Sequence, residues 1–139
     1  MKLNPYLAFK GHCEEAMNFY KDVLDGEITM LLRFHDMPPE VYEVPDQYKD
    51  KVMHCTLEFD GCKFLAQDTI DDANHKVGSN FSLSLNIADD DEASAVYNSL
   101  LAGGHSLMPF ENAFWGGKYG KLVDKFGIQW MVTSEHKPS

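Results

Sequence analysis

His54 sits in the middle of an alternating run, Val52 to Phe59, which places it on one strand face with Thr56 and Glu58. Imidazole is the side chain whose charge changes near neutral pH, so a histidine there has two readings. It is a general acid, base or ligand hydrogen bonder, or it is a sheet histidine satisfied by its neighbours. His12, His35, His75, His105 and His136 fall near expected element ends or loops without ligand-like spacing, which reads as surface, and no Ser-His-acid triad can be argued. Trp115 and Tyr119 flank Gly116-Gly117. A glycine turn lets backbone approach a ligand while two rings cover it, and it equally suits a packed hairpin corner. Cys13, Cys55 and Cys62 are odd in number and form no C-x-x-C pair, so reduced, buried, structural thiols are expected rather than a disulfide framework or a cysteine zinc site. The run Asp89-Asp90-Asp91-Glu92 has the look of a cation site but precedes a helix, where acids complement the dipole. Capping is its simpler role.

These residues must be held by short elements. Residues 3–9 read as a strand in which Pro5 needs a position without a ladder donor, at an edge or near the start. From His12 to Leu24 apolar residues recur at helical spacing, and Asp25-Gly26 supplies the stop, the glycine being the residue expected to turn left-handed. Residues 27–34, 52–59 and 62–67 follow as strands, the last two joined at Asp60-Gly61, a two-residue hairpin signal. Between them, Met37 to Gln47 reads as a long proline-rich loop. Asn80 to Ile87 alternates strictly, with Phe81, Leu83, Leu85 and Ile87 on the face expected to meet a helix and Ser82 and Ser84 on the other. A second helix and strands near 105–110, 117–123 and 128–133 complete the chain.

The two halves repeat one phrase. Glu15-Ala16, Tyr20, Leu24 and Gly26 recur as Glu92-Ala93, Tyr97, Leu101 and Gly103, each pair 77 positions apart. Two copies of one helix imply two copies of one βαβββ module, the first spanning 1–69, the second 79–139, with 70–78 as linker. The turn glycines Gly61 and Gly127 are 66 apart, 11 fewer than the helices, so the extra residues belong to the first module's loop. A chain of 139 residues with 44% hydrophobic content suits one domain made of two such halves. With 22 acidic against 12 basic residues, its formal charge of -10 repels nucleic-acid and anionic membrane surfaces. The expectation is a cytoplasmic protein without membrane span or signal peptide.

The element order, together with Asn4-Pro5-Tyr6-Leu7-Ala8-Phe9, Glu15-Ala16-Met17-Asn18-Phe19-Tyr20, Val52-Met53-His54-Cys55 and the stretch from Phe114-Trp115-Gly116-Gly117 to Gly127-Ile128-Gln129-Trp130, resembles the PhnB-like branch of the glyoxalase/bleomycin-resistance, or vicinal oxygen chelate, superfamily. The resemblance covers nearly the whole chain. It implies an α+β fold, two βαβββ modules whose curled mixed sheets enclose a cavity, and a homodimer.

Many enzymes that the chain resembles hold a divalent metal on the first and last strands of each module. Those positions fall here near Pro5, near Ser82, near Met131 and within Leu65 to Gln67, and proline, serine and methionine are poor ligands for hard divalent ions. Neither a metal nor another cofactor is expected; the ubiquinone-methyltransferase label that some similar proteins carry finds no glycine-rich strand-to-helix loop to cradle S-adenosylmethionine. Trp130 alternates onto the helix-facing side, leaving Gln129, Met131 and Thr133 on the other. With His54, Gln67, Ser82, Ser84, Trp115 and Tyr119 they form a mixed apolar and neutral-polar set that suits a small organic ligand. Three readings stay open: a metal-free small-molecule binding protein, a superfamily enzyme using His54 or unplaced residues, and a protein whose dimer surface is its function.

Overall fold

Alternation and helical spacing become two four-stranded sheets, each with one helix. The computed structural model describes residues 1–38, 40, 43–70 and 73–135; His136, Asp71-Asp72 of the linker and parts of the proline-rich loop lie outside the described residues. The chain divides into two units, Met1–His75 and Lys76–Ser139. In the first, β1 (Tyr6–Phe9), α1 (Cys13–Leu24), β2 (Glu27–Arg33), β3 (Val52–Phe59) and β4 (Cys62–Asp68) form a sheet of order β1-β4-β3-β2, with β1 parallel to β4 and the remaining pairs antiparallel. In the second, β5 (Leu83–Ile87), α2 (Asp90–Leu101), β6 (His105–Asn112), β7 (Lys118–Val123) and β8 (Gln129–Ser134) repeat that order as β5-β8-β7-β6.

Each helix buries one face on its own sheet. Ala16, Met17 and Tyr20 of α1 are buried, as are Leu7, Phe9, Cys55, Leu57, Phe64 and Ala66 of the strands. In the second unit Ala93, Tyr97 and Leu100 are buried, with Leu122, Trp130 and Val132. The repeated tyrosine is thus a core residue in both copies. Tyr97 adds a polar anchor: its hydroxyl lies 2.8 Å from Ser106 Oγ, 2.9 Å from the Met108 carbonyl and 3.2 Å from the Lys121 carbonyl.

Three local expectations are corrected. At the end of α1 it is Asp25, not Gly26, that turns left-handed, with φ 53° and ψ 50°. Gly26 serves a close approach instead, since a Cβ there would stand 2.9 Å from the Glu58 carbonyl oxygen. After α2 the same two roles fall on Gly103, with φ 80°, and Gly104. The copies therefore run 77 apart through the helices and 78 apart beyond them. Second, β5 begins at Leu83, leaving Phe81 66% exposed rather than packed on the helix, because the alternating run starts before its parallel partner β8 can pair with it. Third, Cys62 is exposed at the start of β4, beside the Asp60-Gly61 turn; Cys13 and Cys55 are buried. Burial pushes the Cys55 thiol up to about 11 and Cys13 higher still, so both are held as neutral thiols.

Arg33, the last residue of β2, grips α1 through a two-pronged pair with Glu14, at 3.1 and 2.8 Å, and also donates to the Asp50 carbonyl. The guanidinium holds the Glu14 carboxyl below its ordinary range. A depressed carboxyl stabilises the fold above its unfolded pKa and loses that contribution as pH falls through the folded value. Both side chains are partly exposed, so the contribution is small. Glu14→Gln is expected to cost about 0.5 kcal/mol at neutral pH, and its deficit should vanish only as pH falls below the ordinary carboxylate range, as urea denaturation across that range would show.

Candidate functional site

In each unit the sheet face turned away from the helix carries the side chains that remain for chemistry. In the first unit, register runs Tyr6 to Leu65 to Thr56 to Met30 across the four strands, and Leu32 pairs with His54. In the second it runs Ser84 to Met131 to Lys121 to Met108. The two rows correspond position by position, so Tyr6 and Ser84, and Leu65 and Met131, are the equivalent sites on the first and last strands.

Tyr6, 50% exposed on the edge strand β1, ties together the polar groups of the first face. Its hydroxyl donates to Gln67 Oε1 at 3.3 Å and lies 3.3 Å from His54 Nδ1, and the two rings stand 5.9 Å apart. His54 Nε2 lies 3.2 Å from Thr56 Oγ1, whose residue is buried. With the Tyr6 proton on Gln67, His54 donates from Nδ1 and accepts at Nε2, so one consistent set of protons satisfies the chain. Partial burial, with a smaller contribution from Cys13, raises the Tyr6 phenol above its ordinary value and keeps it a protonated donor. Glu27, Glu58 and Lys63 occupy the other end of this face. The end holding Tyr6, His54 and Gln67 is polar and holds none of those three charged residues.

The second face is differently equipped. Ser84 Oγ points at Met131 Sδ, 3.8 Å away, and Gln129 Nε2 donates to the Gly78 carbonyl at 3.3 Å. Tyr119, opposite Glu111, packs edge-on against Trp115 at 5.5 Å, and Trp115 against Phe114 at 4.9 Å. Gly116 and Gly117, with φ 97° and 71°, turn the chain between β6 and β7 and leave Phe114 97% and Trp115 61% exposed. Ser82 lies outside β5 and half-buried. The sequence-derived residues thus assemble as His54 and Gln67 through Tyr6, Ser84 with Met131, and Trp115 with Tyr119.

Tyr6 and Thr56, which the sequence does not single out, join His54 and Gln67 in this network. The signal for Tyr6 lies in Leu7 and Phe9, whose burial sends it to the opposite face. Asp68 and Asp124, also unmarked in the sequence, hold the strand ends. Buried Asp68 accepts from the Cys13 and Val52 amides, both at 2.9 Å, closing the start of α1 and of β3 with one carboxylate. At the corresponding place Ser134 Oγ accepts from the Lys118 amide at 3.0 Å. Asp124 accepts from the Phe126 and Ile128 amides and from Trp130 Nε1 at 2.8 Å, which fixes the β7–β8 turn.

The equivalent first- and last-strand positions supply a phenol and an aliphatic chain in the first unit and a hydroxyl and a thioether in the second, and neither pair suits a hard divalent ion. Among the described residues, no three His, Cys, Asp or Glu side chains converge elsewhere as such an ion would require. No helix among them is long and apolar enough to cross a membrane.

The family model described as 3-demethylubiquinone-9 3-methyltransferase matches residues 1–133. The chain is similar to the crystal structure of protein PA1353 from Pseudomonas aeruginosa, at 34% identity over 99% of both chains with TM-score 0.88. It is similar also to a PhnB protein from Bacillus cereus, at 30% identity over 96% of this chain and 99% of that one, TM-score 0.81. A glyoxylase/bleomycin resistance protein/dioxygenase domain from Frankia sp. EAN1pec, 10% identical over 100% and 94% of the two chains with TM-score 0.67, shares the fold alone. The methyl-donor cofactor that the methyltransferase description implies does not fit the helix starts. The first α1 amide is occupied by Asp68 and the Glu92 amide by Asp89 at 2.8 Å, the capping role expected of the acidic run.

Proposed function

The chain belongs to the family described as 3-demethylubiquinone-9 3-methyltransferase, in the PhnB-like branch of the glyoxalase/bleomycin-resistance superfamily, and on that premise we propose that it binds a small organic ligand without the superfamily's usual metal. The observation that carries this reading is the Thr56–His54–Tyr6–Gln67 network with Met30, Leu32 and Leu65 around it, at the end of the sheet face away from Glu27, Glu58 and Lys63. Ligand sites combine apolar surface with a few fixed polar groups, and that face has both. Met30 and Leu32 flank the network from β2, and their exposure leaves apolar area for a ligand to cover. In this reading the protein works as a cytoplasmic homodimer and sequesters or senses its ligand.

A second reading has one observation in its favour. His54 is held at both ring nitrogens, which is how an imidazole is prepared to move a proton, and Tyr6 would pass that proton to or from a bound molecule. Both readings use the same residues. Elemental analysis of protein purified without chelator is expected to give far less than one metal ion per chain; near-stoichiometric Mn, Fe, Ni or Zn contradicts the metal-free proposal. His54→Ala is expected to weaken binding of the co-purifying ligand about tenfold by isothermal titration, and unchanged affinity would remove His54 from the site.

A further inference from the structure

Resting on the reading of the first unit's sheet face as the ligand site, we propose that this face selects an uncharged molecule presenting a carbonyl oxygen beside an apolar or aromatic body. The selection follows from which hydrogen-bonding groups are already spent. Both His54 nitrogens are engaged, by Tyr6 and by Thr56, and Thr56 is buried. Gln67 Oε1 takes the Tyr6 proton. What remains is the Gln67 amide nitrogen, whose two protons have no partner among the described residues, and the Tyr6 hydroxyl, which can turn its proton from Gln67 to an incoming oxygen.

These are donors, so the group that completes them is an acceptor. A cationic ligand would meet protons where it needs lone pairs, because the carboxylates of this face, Glu27 and Glu58, lie at its far end. An anionic ligand would find no lysine or arginine of this sheet's strands beside the network, since Lys63 is cross-strand from Glu58 and Arg33 is committed to Glu14. Around the donors lie Leu65, next to Tyr6 in register, Leu32, opposite His54, and Met30. They suit an unsubstituted hydrocarbon or ring face.

Acetophenone and 2-phenylethylamine, similar in size and opposite in hydrogen-bonding character, are the probes, titrated into uniformly nitrogen-15-labelled full chain by NMR. Acetophenone is expected to shift the amides of Tyr6, His54, Thr56 and Gln67 and to bind at least about tenfold more tightly than the amine. Tyr6→Phe, which keeps the ring and removes the proton, should weaken acetophenone about fivefold, and Gln67→Glu should reverse the preference toward the amine. Equal or tighter binding of the amine, or an unchanged acetophenone affinity in Tyr6→Phe, overturns the selection while leaving the face as a ligand site. Shifts confined to the second unit, or none at the solubility limit, overturn the site reading itself.

Discussion

Gly104→Ala is expected to cost about 3 kcal/mol or more and to lower the melting temperature by roughly 10 °C, the largest effect of any single methyl group considered. A Cβ at Gly104 would collide with the Val123 carbonyl oxygen and stand 2.9 Å from the Asp124 Cα and carbonyl carbon. Those atoms are backbone in a paired strand and its turn, so nothing flexible can yield. Relief would require α2 and β6 to move away from β7, disturbing the hydroxyl anchor of Tyr97. The neighbouring Gly103→Ala separates this from a conformational effect. Gly103 sits at φ 80°, where an L-residue pays about 1 kcal/mol, and its Cβ would touch only the flexible Lys125 side chain. Thermal unfolding followed by circular dichroism should therefore rank Gly104→Ala well below Gly103→Ala. Equal losses would mean that close approach is not what selects glycine there.

Asp68→Ala is expected to destabilise the first unit by about 3 kcal/mol. The substitution strands two buried amides, those of Cys13 and Val52, on different elements. Asp68→Asn keeps one acceptor but turns an NH2 toward the other amide, so it should recover only part of the loss, about half. Hydrogen exchange is the discriminating readout: protection at Cys13 and Val52 should fall together in the alanine variant, before general unfolding. Retained protection at both sites would show that water or a neighbouring carbonyl replaces the carboxylate, and the proposed role of Asp68 would fail.

The sequence disclosed the helices because their periodicity is local. Ala16 and Tyr20, or Ala93 and Tyr97, announce a buried face without reference to any partner, and the repeat doubles the signal. It disclosed which residues share a strand face for the same reason, as Trp130 against Gln129 and Met131 shows. It did not disclose which residue of a strand stands at which row, because that depends on pairing between distant segments. Tyr6 opposite Leu65 is set by the β1–β4 ladder, which a run of residues beginning at a proline does not reveal. Gly26 shows a different limit. A glycine after a helix reads as a left-handed cap, yet its neighbour Asp25 takes that conformation, and the reason for glycine lies in the Glu58 carbonyl, 32 positions away in sequence. Asp68 and Asp124 looked like ordinary polar residues at strand ends because backbone amides, their partners, leave no trace in a sequence.

The most direct test is mass spectrometry of small molecules released when natively purified protein is denatured, with wild type and His54→Ala compared side by side. The wild type is predicted to release an uncharged organic compound bearing a carbonyl, and the variant, in which Tyr6 and Thr56 lose their common partner, to release much less. No organic species above the control, or equal amounts from both proteins, would contradict a ligand site built on Tyr6, His54 and Gln67.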